Sequence, residues 1–510
     1  MGTHPGVAPP AAGESLVAAL GAVVGRSADR PAVQAAGTAW TFGELWDRAG
    51  QIAKRLLGQV AVHPGARIGI LGDNDPGYLA AYVGILRAGC VAVPLNQLLR
   101  ANEIAGQLEL VGASLCLAGS IDPAIASVVS GRLRVVPIDD LLRPSRGRAE
   151  PPLPRVDPAD DATILLTSGT TGSPKGAVQT HASMRRAVAE MHATLPFAPD
   201  DVMLGFLPLF AAIPEQVLPT LLAGGSLEVL PRFDVSAIDE ACSRATSLDA
   251  VPTLMARLID GIAPARLARL RWLLFASEPM PPALLARWWE TLPTVRTYEF
   301  YGMTEMLTIT VATPETLRAA PTTVGQPFPG SRVAVVGEDG FPLPIGEAGE
   351  VVCASPARMR GYVPDGIDPS TWRLDDGSMR TGDLGRFDDE GRLHLTGRIK
   401  DLIISGGLNI APAEIEAVAV QHPAVATAVV VGIPDPRWGE TPALVAVAKP
   451  GAQVSAAELL AFCRKRQASF KRPRAAAIVV DLPRTGIGKS SKATIRDRIL
   501  SGELELTRET

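Results

Sequence analysis

The stretch TILLTSGTTGSPKGAVQTH, from Thr163 to His181, decides how the chain is interpreted. An apolar, β-rich run passes here into a segment of Ser, Thr, Gly, Pro and Lys. Such a loop after a strand exposes backbone N–H groups, hydroxyls and a lysine in a small space, which is how proteins hold phosphate oxygens. It is not the phosphate loop of kinases and GTPases, because Pro174 precedes Lys175 and Gly176 follows it. The stretch therefore predicts either another kind of phosphate-binding loop or a plain surface turn.

Length and composition bound the possible functions. The chain has 510 residues, more than one hydrophobic core usually supports, so at least two domains are expected. A net charge of −4 gives no basic surface for nucleic acid and no polybasic membrane patch. No apolar stretch approaches the ~18 residues of a membrane span. We expect a monomer or homodimer that acts on small molecules.

The cysteines indicate the compartment. The chain has 5 of them, far apart, without Cys-x-x-Cys spacing or neighbouring histidines. This pattern argues against a zinc site and favours reducing conditions. We therefore expect a cytoplasmic protein.

Strand-like and helix-like patterns alternate along the chain. The strand-like runs ARIGILG, ATILLTS and RWLLFAS alternate with helical patterns such as PGYLAAYVGILRAG and SMRRAVAEMHATL, which predicts βαβ layers. Short alternating strands with Gly, Pro and Asp predict a β-rich subdomain over about 324–399. Mixed α and β patterns return afterwards, with a helix in PAEIEAVAVQHP. The sequence predicts an α/β fold with a large N-terminal domain, 1–399, and a small α+β domain, 400–510.

A second motif, YEFYGMTEM, runs from Tyr298 to Met306. Tyr301 can lie against a purine, while Thr304 and Glu305 offer hard oxygen ligands to a phosphate and its Mg²⁺. The alternative is a strand end with an exposed glutamate.

Two further motifs lie near the C-terminus. Asp383 can accept hydrogen bonds from a ribose diol, and Arg398 can fork to ribose and phosphate oxygens. Lys489 stands in the glycine-rich segment LPRTGIGKSSKATIRD and can deliver a point charge. The alternatives are hairpin turns with solvated charges and a basic tail.

Taken in this order and spacing, the motifs resemble those of the adenylate-forming superfamily of acyl-CoA synthetases, luciferases and peptide-synthetase adenylation domains. The resemblance runs over nearly the whole chain, from RPAVQAAGTAWTFGELWDRA to GKSSKATIRDRI. The segments GRIKDLIISGGLNIAPAEIE and VVGIPDPRWGE are most similar to the CoA ligases. The resemblance implies an AMP-forming acid–thiol ligase that uses ATP, Mg²⁺ and CoA.

The resemblance also implies roles for matching residues. Catalytic roles fall to Lys489, Thr304, Glu305 and Arg398, with Glu305 as the metal ligand and Lys400 as the hinge. The remaining positions are assigned to the phosphates (Thr167, Ser168, Gly169, Thr170, Thr171, Lys175), the adenine (Ser277, Glu278, Pro279, Tyr301, Gly302, Met303), the ribose (Asp383), the pantetheine arm of CoA (Gly406, Gly407) and the acyl pocket (Phe210, Ala211, Ala212, Met303).

In this family the substrate carboxylate attacks the α-phosphorus of ATP, and a thiol then displaces AMP. Between the two steps the small domain turns about the hinge. This turn removes Lys489 from the active site and brings the SGGLN segment to it. The sequence departs from the family at Ala211, where a histidine is common, and at Ser277, where a glycine-rich turn is usual. A ligase that performs only the thiol step on a preformed adenylate is therefore an alternative.

Three further points concern substrates and competing classes. An uncharged Ala211 cannot pair the ammonium of an α-amino acid, so such substrates are not expected. Ala211 and Ala212 predict a roomy apolar pocket for a bulky or hydrophobic acid, or else simple core packing. The thiol can be CoA or a carrier-protein phosphopantetheine. A phosphoryl-transfer enzyme is a distant alternative, because the sequence lacks its loops.

Overall fold

The computed structural model describes residues 13–35, 37–143, 151–167, 174–484 and 490–508. The chain divides into two compact units. The first contains the residues up to Arg332 together with Ala354–Thr371, and the second contains Val333–Cys353 and the residues from Trp372 onward. Lys400 belongs to the second unit, where it is exposed in the single turn Ile399–Asp401. Its role as a hinge stays a prediction.

The strands of the described chain are short in the first unit and longer in the second. In chain order they are β1 (Pro31–Ala35), β2 (Thr38–Thr41), β3 (Arg67–Leu71), β4 (Val91–Pro94), β5 (Leu115–Ala118), β6 (Val135–Pro137), β7 (Asp161–Thr167), β8 (Lys175–Thr180), β9 (Val202–Gly205), β10 (Ser226–Val229), β11 (Ser247–Ala250), β12 (Trp272–Ala276), β13 (Arg296–Tyr301), β14 (Thr310–Ala312), β15 (Gln326–Pro327), β16 (Arg332–Val336), β17 (Gly349–Ala354), β18 (Gly361–Val363), β19 (Met379–Phe387), β20 (Leu393–Arg398), β21 (Ile403–Ser405), β22 (Leu408–Ile410), β23 (Val425–Asp435), β24 (Gly439–Ala448), β25 (Ala475–Val479) and β26 (Thr507–Arg508).

The α-helices alternate with these strands. In chain order they are α1 (Leu16–Ser27), α2 (Phe42–Gly58), α3 (Pro76–Arg87), α4 (Ala101–Leu110), α5 (Pro123–Ser130), α6 (Ile138–Leu142), α7 (His181–Thr194), α8 (Leu209–Ala212), α9 (Leu218–Ala223), α10 (Val235–Ala241), α11 (Pro252–Gly261), α12 (Pro264–Leu267), α13 (Pro282–Thr291), α14 (Pro314–Ala319), α15 (Pro412–Ala419), α16 (Ala456–Arg464) and α17 (Lys492–Leu500). The predicted strands β3, β7 and β12 and the predicted helices α3, α7 and α15 are thus confirmed.

The first unit contains two sheets. One has the strand order β15-β14-β13-β12-β11-β9-β10-β1-β2, parallel from β13 to β1, and the other has the order β18-β8-β7-β4-β3-β5-β6. Buried residues from both sheets and from α1, α2, α3, α7 and α9 form one core between them. The outer faces are covered by α10, α11 and α13 on the first sheet and by α4 and α5 on the second. These βαβ layers confirm the predicted α/β class.

Local signals in the sequence explain where the helices of this core begin. Asp75 accepts a hydrogen bond from the backbone of Tyr78, and Pro76 occupies the first turn of α3, where its missing N–H is not needed. Thr41 and Glu44 cap α2 reciprocally, because each side chain accepts a hydrogen bond from the backbone N–H of the other residue, at 3.2 and 2.9 Å.

Among the described residues no helix combines the length and the apolar character that a membrane crossing requires.

The second unit contains two further sheets. β16, β17, β19 and β20 form the β-rich sheet expected from the Gly- and Asp-punctuated sequence, with antiparallel pairing from β17 to β20. β18 from the same stretch joins β8 in the first unit. The C-terminal sheet has the order β22-β21-β24-β25-β26, with β23 beside β24. One of its faces packs on α15 and α16 and the other on α17.

His181 gives the fold a pH dependence. Its ring is fully buried at the start of α7, and neither ring nitrogen finds a hydrogen-bond partner among the described residues. Burial lowers the pKa of His181 from 6.5 to about 4. Between pH 6.5 and pH 4 the unfolded chain binds a proton at His181, whereas the folded chain does not. The free energy of unfolding therefore has its full value above pH 6.5 and decreases as the pH falls towards 4. We expect about 2 kcal/mol of stability to be lost between pH 7.5 and pH 5 from this residue.

Urea denaturation of the protein and of His181→Gln at the two pH values measures this effect. The variant should lose about 2 kcal/mol less than the parent on acidification. An identical acid sensitivity of the two proteins would contradict the assignment.

Candidate active site

The predicted adenine-binding residues lie where the parallel strands β12 and β13 of the first sheet end. Ala276 pairs with Phe300, so Ser277 and Tyr301 follow side by side at the carboxyl ends of β12 and β13. In open α/β sheets ligands bind at this edge. The structure therefore brings the two predicted adenine contacts together.

A tight loop follows Tyr301. A Cβ on Gly302 would lie 2.0 Å from the carbonyl oxygen of Leu307, so a side chain at this position is excluded. The loop closes through hydrogen bonds from Leu307 N to Met303 O at 2.6 Å and from Ile309 N to Tyr301 O at 3.0 Å. Thr304 and Glu305 lie inside this loop. Gly302 thus fixes the backbone of the loop that carries Thr304 and Glu305.

Glu305 is joined to the phosphate-loop strand through a tyrosine. Glu305 is 8% exposed, and its carboxylate accepts a 2.7 Å hydrogen bond from the hydroxyl of Tyr362, the middle residue of β18. Burial and Glu305 raise the pKa of Tyr362 above its ordinary value, so the phenol stays protonated and donates. The Lys175 ammonium lies 5.1 Å from the centre of the Tyr362 ring. The predicted phosphate-binding lysine and the predicted metal ligand therefore meet across one aromatic ring.

Backbone contacts hold the same arrangement. Buried Gln179 on β8 donates to the carbonyl oxygen of Thr304 at 2.8 Å, and Met359 N donates to the carbonyl oxygen of Glu305 at 2.7 Å. Ser183 in turn donates to the side-chain oxygen of Gln179 at 2.8 Å. The loop that carries Glu305 is thus fastened to the second sheet.

Several predicted residues lie outside the described part of the chain. Thr167 and Lys175 face each other at the ends of β7 and β8, but Ser168, Gly169, Thr170 and Thr171 fall in the gap between them. Lys489 falls in the gap at 485–489, whose neighbours Arg484 and Ser490 pair as an antiparallel bridge. The roles of these five residues stay predictions.

Ser277 keeps the backbone of a glycine turn. Its φ of +76° lies in the left-handed region, which costs a residue with a Cβ about 1–2 kcal/mol. Glu278 beside it accepts hydrogen bonds from the hydroxyl of Thr253 at 2.8 Å and its backbone N–H at 3.2 Å, while Pro279 is exposed. Ser277 therefore has the left-handed backbone that glycine adopts most readily.

The predicted acyl-pocket residues lie on the short helix α8. Phe210 and Ala211 are half-buried, whereas Ala212 is fully buried in the core that covers the outer face of the first sheet. Asn74 positions this segment, because its side chain donates to Leu207 O at 2.9 Å and accepts from Leu209 N at 2.8 Å.

The two predicted ribose residues form a pair in the second unit. Asp383 and Arg398 are opposite each other on β19 and β20, and the Arg398 Nε lies 2.9 Å from the Asp383 Oδ1. Asp383 is 6% exposed and Arg398 is half exposed. The pair presents a fixed carboxylate beside a guanidinium.

Gly406 and Gly407 form the turn between β21 and β22. Their φ values are +59° and +81°, and a Cβ on Gly406 would lie 2.8 Å from the Trp438 ring. The guanidinium carbons of Arg437 and Arg474 lie 4.7 and 5.3 Å from the centre of that ring. A glycine turn and two cations are thus grouped around the Trp438 ring.

Sequence reasoning missed Tyr362, Gln179 and the group around Trp438. Tyr362 lies 57 residues from its partner Glu305, and no local spacing connects them. The signals that point to two of them are a tyrosine inside the short run GYV and a tryptophan beside Arg437, directly after the motif VVGIPDP.

Comparison with known proteins agrees with this geometry. Residues 21–363 match the family model of AMP-binding enzymes, and residues 414–489 match that of the AMP-binding enzyme C-terminal domain. A feruloyl-CoA synthase from Amycolatopsis sp is 36% identical over 476 residues, 92% of this chain and 95% of the relative. A 2-succinylbenzoate–CoA ligase from Bacillus velezensis is 33% identical over 91% of this chain and 94% of the relative.

Among solved structures, the o-succinylbenzoate CoA synthetase from Bacillus subtilis in complex with ATP and magnesium has a TM-score of 0.84. It is 29% identical, over 96% of this chain and 100% of that one. The predicted family, activity and requirement for ATP, Mg²⁺ and CoA are confirmed. The chain therefore belongs to the AMP-binding enzymes of the adenylate-forming superfamily, as an acyl-CoA ligase.

Proposed function

We propose that this ligase activates a bulky, ring-bearing carboxylic acid at the edge marked by Ser277, Tyr301 and Glu305. The observation that carries the proposal is the contact of Lys175 and Glu305 through Tyr362. This contact supports a site in which Lys175 binds the phosphates of ATP and Glu305, close to it, binds the Mg²⁺ ion of the nucleotide.

The first step joins the acid to AMP. A carboxylate oxygen of the acid attacks the α-phosphorus, the bond to the β-phosphate oxygen breaks, and pyrophosphate leaves. The obstacle is repulsion between anions, so the groups required are cations and oriented donors. We assign Lys175 to the β- and γ-phosphates and Lys489 to the reacting carboxylate and α-phosphate.

Glu305 fits a magnesium site in which the phosphates of the nucleotide supply the remaining ligands. Among the described residues no cluster of three or more His, Cys, Asp or Glu side chains is placed to hold a metal ion. Mg²⁺ bound with a nucleotide commonly uses one or two carboxylates plus the phosphates. Glu305 supplies one such carboxylate, and the ion would neutralise charge on the departing pyrophosphate.

Nucleotide recognition is assigned to three groups. The Tyr301 ring and the Ser277 turn would hold the adenine, and Asp383 with Arg398 would bind the ribose hydroxyls. The left-handed backbone at Ser277 supports an intact adenine turn, which favours the complete ligase over one that performs only the thiol step.

The second step forms the thioester. The thiol sulfur attacks the acyl carbonyl carbon, and AMP leaves with the bonding electrons. We assign Gly406 and Gly407 to the pantetheine arm. Trp438 with Arg437 and Arg474 offers a ring for an adenine and cations for phosphates, which favours CoA over a carrier-protein arm.

The remaining assignments concern the substrate and the setting. The relatives named above act on ring-bearing acids, which supports a bulky substrate that is not an α-amino acid. The cysteines are all buried and none of them forms a disulfide in the described chain, which supports a cytoplasmic location. We assign the protein to a monomer or a homodimer. We assign Lys400 to the hinge about which the small domain turns.

A panel of acids tests the function. Short fatty acids, benzoates, cinnamates and polycyclic acids are incubated with ATP, Mg²⁺ and CoA, and mass spectrometry follows AMP, pyrophosphate and acyl-CoA. Synthetic acyl-adenylates are run alongside. Acyl-CoA from free ring-bearing acids supports the proposal, whereas turnover of the preformed adenylates alone would restrict the enzyme to the second step.

Gly406→Ala is expected to slow thioester formation from a synthetic acyl-adenylate on the order of 10²-fold, because the new Cβ would push against the Trp438 ring. Pyrophosphate release from free acid and ATP should stay within a few-fold of the parent. Stopped-flow analysis of the two half-reactions measures both.

Gly451→Ala is the matched control. Its φ of +75° imposes the same backbone strain, but nothing lies within 4 Å of its Cβ position. Equal losses in the two variants would show that strain, and not the position beside Trp438, limits the second step.

A further inference from the structure

Asp249 lies buried beside the candidate site without a role in the chemistry above. It is the third residue of β11 and is 3% exposed. Within the described chain its Oδ2 has no hydrogen-bond partner. Burial, together with the nearby Glu215, raises the pKa of Asp249 well above its ordinary value. An unpaired buried carboxyl oxygen costs stability unless a ligand completes it.

The position of Asp249 relative to the nucleotide site follows from the strand register. Asp249 pairs with Leu274 on β12, and Leu274 pairs with Tyr298 on β13. Ser277 and Tyr301 each lie three residues further along these strands, which is about 10 Å at the usual rise of a strand. Asp249 therefore lies deep beneath the edge where the adenylate would form.

A second buried oxygen without a partner among the described residues belongs to Gln216, whose Nε2 donates to Leu204 O at 3.2 Å. Gln216 is fully buried in the π-helical turn Ile213–Val217, and its Oε1 has no hydrogen-bond partner in the described structure. That oxygen lies 3.4 Å from where a Cβ on Gly205 would be. Gly205 ends β9, the strand beside β11, one residue beyond the pair formed by Leu204 and Leu248. Gln216 therefore turns its oxygen towards the strand ends where Asp249 lies.

The chain connects these groups to the predicted acyl pocket. Phe210, Ala211 and Ala212 lead directly into the π-helical turn that carries Glu215 and Gln216. π-helical turns occur frequently at functional sites. Gly205 has no side chain, and the Gln216 amide lies over it in the space that a side chain would take. The deep end of this region is thus polar and offers hydrogen-bond acceptors, in contrast to the wholly apolar pocket expected from Ala211 and Ala212.

We infer that Asp249 and Gln216 select acids that carry a hydroxyl or amino group at the end remote from the reacting carboxylate. This inference rests on the proposed function and names its substrate class. The distal donor would satisfy the two acceptor oxygens, whereas an apolar group would leave them buried and unpaired. A site built to bind a hydroxyl discriminates strongly against the analogue that lacks it.

The test compares para-hydroxycinnamic, para-aminocinnamic and para-methylcinnamic acids in the pyrophosphate-release assay. The methyl acid has nearly the shape of the other two but cannot donate. For the unmodified enzyme we expect kcat/KM to be at least about 10²-fold higher for the hydroxyl and amino acids than for the methyl acid. Asp249→Leu should abolish or reverse that preference, and Asp249→Asn, which keeps the shape, should reduce it.

Glu299→Gln is the matched control, because Glu299 is another buried carboxylic acid of the same sheet with a raised pKa. It pairs with Phe275 and not with Leu274, so its side chain lies on the opposite face from Asp249. This variant should keep the preference of the parent.

The outcomes separate the inference from the proposed function. Equal or better use of the methyl acid by the unmodified enzyme, or refusal of all three by an enzyme that activates other acids, would overturn the inference alone. A preference that survives Asp249→Leu would overturn it as well. If no acid of any class releases pyrophosphate, the proposed function fails and the inference fails with it.

Discussion

Glu305→Gln is expected to reduce acyl-CoA formation on the order of 10²- to 10³-fold. Glutamine keeps the volume of the side chain and still accepts the hydrogen bond from Tyr362, so the loop should keep its conformation. What is lost is the negative charge that would bind Mg²⁺. Pyrophosphate release measured against Mg²⁺ concentration should show a higher metal requirement in the variant, with partial recovery at high Mg²⁺.

Two variants accompany this measurement. Tyr362→Phe removes only the hydrogen bond to Glu305, so it should fall between the parent and Glu305→Gln. Glu299→Gln changes a buried carboxyl in the preceding strand and should keep the metal requirement of the parent. An unchanged rate and Mg²⁺ dependence in Glu305→Gln would remove this residue from the metal site.

Lys489→Ala should separate the two half-reactions. Its ammonium is assigned to charge that develops at the α-phosphate, and loss of one such group typically costs about 10²- to 10³-fold. We expect pyrophosphate release to fall by this factor, while thioester formation from a synthetic acyl-adenylate stays within a few-fold. Single-turnover assays of each step provide the measurement.

Lys492→Ala is the control for Lys489. Lys492 begins α17 and lies 2.9 Å from the Glu416 carboxylate, which also accepts a hydrogen bond from Val430 N. The control removes a nearby lysine of the same domain and should leave adenylation intact. Similar losses in both variants, or a loss of the thiol step in Lys489→Ala, would contradict the assigned role.

The sequence predicted those parts of the molecule that depend on local patterns. Apolar patterns placed β3, β12 and α3, because strand and helix periodicity depend on neighbouring residues. Asp383 and Arg398 were both assigned to the ribose, and they pair because two strands of one hairpin bring them opposite each other.

The remaining features depend on contacts between distant strands. Tyr362 reaches Glu305 only because β18 pairs with the edge strand β8 and not with the strands that precede and follow it in the sequence. The left-handed φ of Ser277 is a backbone property that the letter S does not encode. Asp249 is the exception: a single acid inside the short strand SLDA is a visible signal, but only the register shows which site it faces.

The central claim is that a carboxylate oxygen of the substrate attacks the α-phosphorus of ATP. Incubation of the best acid from the panel, labelled with ¹⁸O in its carboxylate, with ATP, Mg²⁺ and CoA tests this directly by mass spectrometry of the phosphorus products. The account predicts one ¹⁸O atom in AMP and none in pyrophosphate. Label in inorganic phosphate together with ADP would mean attack on the γ-phosphorus and would contradict the account.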